Sequence, residues 1–182
     1  MIARTAALAL AALAILPAGL SDAPAAPARA APATQCRPAE TVLYSCRFKR
    51  AVGSVCLGAK TVHYRYGPAG RPDIDVASDA GWSNVHFNTT VGGGGGRQHH
   101  VRFTAGRHDY VVFEAVAGNL TDVPGKRWSG INVARDGRDL ALLECPGAAR
   151  LHPGGWNLLF ERAPASARDR LADEDPRFEG WY

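Results

Sequence analysis

The sequence predicts an all-β fold: a single antiparallel β-barrel or sandwich of seven to nine strands, stapled by disulfides and followed by an irregular or short-helical C-terminal tail. Three observations lead to this prediction. Apolar and polar residues alternate with a period of two in several runs, which is typical of half-buried strands. Turn-forming residues separate these runs, and no stretch of the body has a convincing helical period.

The first half of the body contains four of the predicted strands. In the first strand, Val42, Tyr44, Cys46 and Phe48 fall on one face. A glycine- and proline-rich segment at residues 67–72 is a loop that precedes the fourth strand. The four runs are residues 41–48, 54–59, 61–66 and 73–76.

The second half of the body contains the remaining strands. Five consecutive glycines at residues 92–96 lack the Gly-Lys-Ser/Thr ending of a phosphate-binding loop, so they predict a hairpin loop. Asp136 and Gly137 predict a type I′ hairpin turn, which needs positive φ at both central residues. The inward-facing candidates around that turn are Ile131, Val133, Leu140 and Leu142. The runs are residues 84–90, 98–104, 109–117, 130–134 and 139–145.

Residues 1–30 have the pattern of a secretory signal peptide. Arg4 supplies a positive charge, residues 6–16 form an apolar run, and Ala28-Arg29-Ala30 is an A-x-A cleavage site. The run is shorter than the roughly 20 residues that a membrane-spanning helix needs. We therefore expect a periplasmic or secreted protein with no transmembrane segment in the mature chain.

The predicted organisation is a signal peptide at 1–30, a β domain at 31–160 and a polar, aromatic tail at 161–182. Within the tail, residues 164–175 form either one short helix capped by Ser166 or an irregular segment. The chain ends on Phe178, Trp181 and Tyr182, which give the tail an apolar end able to dock onto the body.

Four cysteines remain after signal cleavage, namely Cys36, Cys46, Cys56 and Cys145. An even number in an exported chain predicts two disulfides. If residues 41–48 and 54–59 form a hairpin, Cys46 faces Cys56, and Cys36 pairs with Cys145; this is the favoured arrangement. The rival arrangement is Cys36 with Cys56 and Cys46 with Cys145. The spacing fits no zinc motif, so we assign no metal ligands and no cofactor.

A register argument gives the candidate binding residues. Pairing Val91 with Arg97 places His86 opposite Arg102 and Asn88 opposite His100 on one polar face. Extending the sheet by pairing Val101 with Phe113 adds Glu114 beside His100. The predicted binding surface for an anion or polar ligand is therefore His86, Asn88, His100, Arg102 and Glu114. The alternative is a solvated sheet face with ordinary cross-strand pairs.

The functional prediction is an exported, non-enzymatic module that binds an unknown protein or polar ligand in the cell envelope. No G-x-S-x-G motif is present, no motif pairs two carboxylates, and we assign no catalytic residue. The formal charge is only +4 and the arginines are scattered, which argues against nucleic acid. The alternatives are an envelope hydrolase that uses His86, His100 and Glu114, and a structural envelope protein.

Four short motifs in the chain resemble a group of small exported bacterial β-rich proteins of unassigned function. The resemblance implies an exported β domain and no particular activity. The motifs are Leu43-Tyr44-Ser45-Cys46, Ser54-Val55-Cys56, Tyr64-Arg65-Tyr66-Gly67 and Leu143-Glu144-Cys145.

A second resemblance is to periplasmic lysozyme inhibitors, which are small disulfide-tied β-barrels. It rests on Tyr44 and Cys46, which match an early Tyr-x-Cys motif of that family. Residues 122–127 do not match the loop that such inhibitors insert into lysozyme. The resemblance implies a lysozyme-inhibitor-like protein as a further alternative.

Overall fold

The computed structural model describes residues 33–172 together with Asp175 and Arg177. The predicted signal peptide and the aromatic residues Phe178, Trp181 and Tyr182 lie outside the described residues. The described part contains ten strands and two α-helices. They are β1 Thr41–Arg47, β2 Val52–Leu57, β3 Val62–Gly67, β4 Ile74–Ala77, β5 Val85–Val91, β6 Arg97–Ala105, β7 His108–Val116, β8 Arg127–Arg135, β9 Arg138–Glu144, β10 Arg150–Leu151, α1 Asn157–Arg162 and α2 Ala165–Ala172.

The strands form two five-stranded antiparallel sheets. The order in the first sheet is β10-β1-β2-β3-β4, and the order in the second is β5-β6-β7-β8-β9. Neither sheet closes on itself, so the all-β prediction is confirmed as a sandwich and not as a barrel. The strand number exceeds the predicted seven to nine because of β10, which has two residues and is too short to show alternation.

The core lies between the two sheets. Tyr64 of β3 packs against Phe103 of β6, with ring centroids 6.0 Å apart. A Cβ atom added to Gly53 would lie 2.4 Å from Ile131 Cδ1, so the sheets approach each other closely there. Burying one large apolar side chain between the sheets stabilises the fold by roughly 1.5–3 kcal/mol. The fully buried residues include Tyr44, Val55, Val62, Tyr64, Trp82, Val101, Phe103, Val112 and Ile131.

The β8–β9 hairpin confirms its predicted turn but not its predicted inward face. Asp136 and Gly137 have φ of 53° and 74°, as a type I′ turn requires. Beyond the turn the register shifts by one residue between Val133 and Ala134. As a result Leu143 is paired with Ile131, and both Leu140 and Leu142 are exposed. Their inward assignment was wrong because a bulge reverses the alternation on one strand only.

The disulfides are Cys36–Cys56 and Cys46–Cys145, so the favoured pairing was wrong and the rival is correct. The β1–β2 register explains this. Cys46 lies opposite Gly53, whereas Cys56 lies opposite Val42, so the two cysteines are far apart along the hairpin. The Cα–Cα distances of 5.2 and 6.0 Å fit normal disulfide geometry. The second bridge ties β1 to the residue that follows β9.

The C-terminal part forms two helices that pack on the core. Four residues of this part are buried in the core: Leu159 of α1, Ala163 between the helices, and Ala167 and Leu171 of α2. Within α2, Ala167 and Leu171 are four residues apart and share one helical face. The helix α2 begins at Ala165, so Ser166 lies inside it and is not its N-cap. Among the described helices, none is long and apolar enough to cross a membrane.

Candidate functional site

The predicted β5–β6 register is confirmed. His86 pairs with Arg102 and Asn88 pairs with His100. Their neighbours on the same strands, Val85, Phe87, Val101 and Phe103, belong to the core between the sheets. The four polar residues therefore share the outer face of the second sheet, which is the face turned away from the first sheet.

Glu114 does not join them. The structure pairs Val101 with Val112, one residue from the predicted partner, and so Glu114 lies opposite His99 on the inner face. The prediction failed because β7 is apolar on both sides: Val112 and Phe113 are both at most 1% exposed. When both faces are buried, the hydrophobic pattern no longer determines the register. The proposed His86, His100 and Glu114 hydrolase site is therefore not assembled.

The outer face is not a solvated surface, because Asp175 from the C-terminal segment binds to it. The Asp175 carboxylate accepts hydrogen bonds from Arg102 Nε at 2.8 and 3.1 Å and from Nη2 at 2.7 Å. The distance from His100 Nε2 to Asp175 Oδ2 is 3.5 Å. The Asp175 side chain is fully buried, and that of His100 is 1% exposed. The predicted anion site thus holds a carboxylate, but one that belongs to the chain itself.

A second carboxylate extends this network. Asp109 Oδ1 accepts a hydrogen bond from the Thr104 hydroxyl at 2.6 Å and lies 3.4 Å from Arg102 Nη1. Arg177 reaches the same oxygen at 3.1 Å. Positive and negative groups therefore alternate from Arg177 to Asp175. An alternating network of this kind holds Asp175 on the sheet and engages Arg102 with two carboxylates.

On the inner face, four polar residues form one row across β5, β6, β7 and β8: Thr89, His99, Glu114 and Ser129. The Thr89 hydroxyl is 2.7 Å from His99 Nδ1. Burial lowers the pKa of His99, and the charges of Arg97 and His100 lower it further. Burial raises the pKa of Glu114, although Trp156, Arg127 and Arg97 oppose the shift. Both side chains are therefore biased towards their neutral forms.

A cavity of about 520 Å³ opens between β5 and the two helices, and we call it the helix cleft. Its size is within the range of small-molecule sites. The cleft brings together the predicted residue Asn88, its neighbour Thr89, and residues of both helices. The lining residues are Phe87, Asn88, Thr89, Asn157, Phe160, Glu161 and Leu171.

The helix cleft has an apolar floor and a polar rim. Phe87 and Leu171 belong to the buried core, whereas Asn157 and Glu161 are exposed. Sequence reasoning missed the helical contributors, since it left residues 164–175 undecided and proposed no helix before them. The four-residue spacing of Ala167 and Leu171 is a local signal for α2.

A second depression, of about 580 Å³, lies beside the β1–β2 turn and β9. Its charged lining residues are Lys49, Arg50, Asp73 and Glu144. Two of these residues are positively charged and two are negatively charged, so the groove favours neither anionic nor cationic ligands. It also lacks every residue that the sequence singled out as a binding candidate.

The described group closest to a metal-ligand arrangement is Cys36, Glu40 and Cys56, whose ligand atoms lie within 4.8 Å of one another. Both cysteines are joined to each other in a disulfide, so neither supplies a thiolate. No metal site is assigned to this group.

No family model, curated protein or solved structure matches the chain. The resemblance to small exported β-rich proteins therefore stays a prediction.

Proposed function

We propose that this protein is an exported, non-enzymatic binding module that holds a polar-headed small molecule in the helix cleft. The observation that carries the proposal is the composition of the cleft. Phe87, Phe160 and Leu171 supply apolar surface, and four polar residues also line the cavity. An apolar pocket with a few placed polar groups is the usual form of a ligand site.

The two disulfides support export. Disulfides persist in oxidising compartments such as the periplasm and the extracellular space. The bridge between Cys46 and Cys145 spans 99 residues and ties the first sheet to the end of β9. A periplasmic or secreted location therefore suits the fold and agrees with the secretory pattern at residues 1–30.

Binding is favoured over hydrolysis because the catalytic alternative needed three residues on one surface. His86 and His100 lie on the outer face of the second sheet, whereas Glu114 lies on the inner face. The lysozyme-inhibitor alternative gains no support from its two matching residues. Tyr44 is fully buried, and Cys46 is bonded to Cys145, so neither offers a surface to an enzyme.

The proposal is tested with a neutral fluorescent probe, N-phenylnaphthylamine, by equilibrium dialysis against the full exported chain. Thr89→Trp places a large ring in the cleft from an exposed position, and we expect it to weaken probe binding at least about tenfold. The control is Val91→Trp, on the same strand and face but outside the cleft and 73% exposed. The Val91→Trp variant should bind the probe with the same affinity as the unchanged protein.

Two results would overturn the proposal. One is equal probe binding by the Thr89→Trp and Val91→Trp variants, which would place the probe elsewhere. The other is recovery of a chemically altered probe from the dialysis chamber, which would mean that the protein is not a passive binder.

A further inference from the structure

We infer that the natural ligand of the helix cleft carries an ammonium group. This inference rests on the proposed function and adds the chemical class of the ligand. It is motivated by charge: the chain is basic overall, at +4, yet the only charged side chain among the described residues that line the cleft is the Glu161 carboxylate.

Glu161 is available to a ligand. Within residues 33–172, Asp175 and Arg177, no ion pair involves its carboxylate. Arg168, a nearby basic residue, donates to the backbone carbonyl oxygens of Glu161 and Ala163, both at 3.3 Å. An exposed carboxylate beside an apolar cavity attracts a cation and repels carboxylates and phosphates.

The neutral groups in the cleft add acceptors for a cation's hydrogen atoms. Asn157 carries an amide oxygen, and Thr89 carries a hydroxyl oxygen. The Thr89 hydroxyl contacts His99, which is a titratable base. Burial lowers the pKa of His99, and the charges of Arg97 and His100 lower it further, which favours its neutral form.

The aromatic floor suits the same ligand. Phe87 and Phe160 both line the cleft. The negative face of an aromatic ring attracts a cation, and the attraction grows when the cation is partly desolvated. A carboxylate together with two aromatic rings is a suitable environment for a primary or quaternary ammonium group on an apolar body.

The experiment compares choline with dimethylbutanol, its uncharged isostere in which carbon replaces the ammonium nitrogen. Binding to the full exported chain is measured by calorimetry. We expect choline to bind about tenfold more tightly than the isostere. Glu161→Gln should remove this preference. The control Glu144→Gln changes an exposed glutamate outside the cleft and should keep it.

The outcomes separate the two proposals. If the isostere binds as tightly as choline, or N-phenylnaphthylamine binds and choline does not, the ammonium inference is overturned while the binding function stands. If choline binds equally to the Thr89→Trp variant, its site is not the cleft and the inference is again overturned. If none of the three probes binds, the proposed function fails and the inference fails with it.

Discussion

Arg102 and Asp175 are 73 residues apart in the chain, yet three hydrogen bonds of 2.7 to 3.1 Å join the guanidinium to the carboxylate. Both side chains are buried, at 8% and 0% exposure. This pair fixes the C-terminal segment on the outer face of the second sheet. It also holds the segment that follows α2, whose Leu171 forms part of the cleft wall.

Asp175→Asn should lower the free energy of unfolding by about 3 kcal/mol, because removing one partner leaves the other charge buried. The expected loss is at the low end of the range for buried pairs, since Arg102 keeps Asp109 at 3.4 Å. Urea unfolding of the full chain measures it. The control is Arg107→Gln, which breaks an exposed pair with Asp136 and should cost at most about 1 kcal/mol. Equal losses in the two variants would contradict the buried pair.

The same pair predicts a dependence on pH. Burial alone would raise the pKa of Asp175, but hydrogen bonds from His100 and Arg102 and the charge of Arg102 hold it well below its usual value. Such a carboxyl stabilises the fold above the unfolded pKa, about 3.9, and the contribution is lost as the pH falls towards the folded pKa. The stability difference between the unchanged protein and Asp175→Asn should therefore be constant above about pH 5 and shrink below about pH 4. Urea unfolding at a series of pH values checks this; a difference that grows on acidification would refute it.

The two disulfides should contribute unequally. In the chain-entropy account, a bridge spanning 99 residues stabilises by about 4.7 kcal/mol and one spanning 20 residues by about 3.3 kcal/mol. Replacing Cys46 and Cys145 by serine should therefore cost about 1.4 kcal/mol more than replacing Cys36 and Cys56. Denaturant unfolding of both double variants measures the difference. Peptide mapping without reduction tests the pairing itself, and a Cys46–Cys56 peptide would contradict it.

Gly130→Ala should destabilise the second sheet by roughly 1–3 kcal/mol through overpacking. A Cβ atom there would lie 2.4 Å from the Leu143 backbone oxygen and 2.9 Å from the Phe113 ring. The matched control is Gly147→Ala, where an added Cβ meets no atom within 4 Å. Its unfolding free energy should change by less than about 0.5 kcal/mol. Thermal unfolding of both variants measures these changes. An unchanged melting temperature for Gly130→Ala would contradict the described packing of β7, β8 and β9.

The β5–β6 pairing shows what alternation predicts well. One face of each strand is apolar and the other polar, so a slip of one residue would place Phe87 on the face opposite to Val101 and Phe103, and the predicted register is the one observed. In β7 the pattern is apolar on both faces, and the predicted pairing of Val101 with Phe113 missed by one residue. That single step moved Glu114 from the candidate site to the opposite side of the sheet.

The sequence alone determined the β class, the hairpin at Asp136 and Gly137, and the face shared by His86, Asn88, His100 and Arg102, because these depend on neighbouring residues and on one buried side. Only the tertiary structure decided the disulfide pairing, the burial of the polar face and the helix cleft. Each of these depends on contacts between distant parts of the chain. Asp175 reaches Arg102 across 73 residues, and Cys145 reaches Cys46 across 99. Such contacts are set by how the sheets and helices pack, and no local pattern records them.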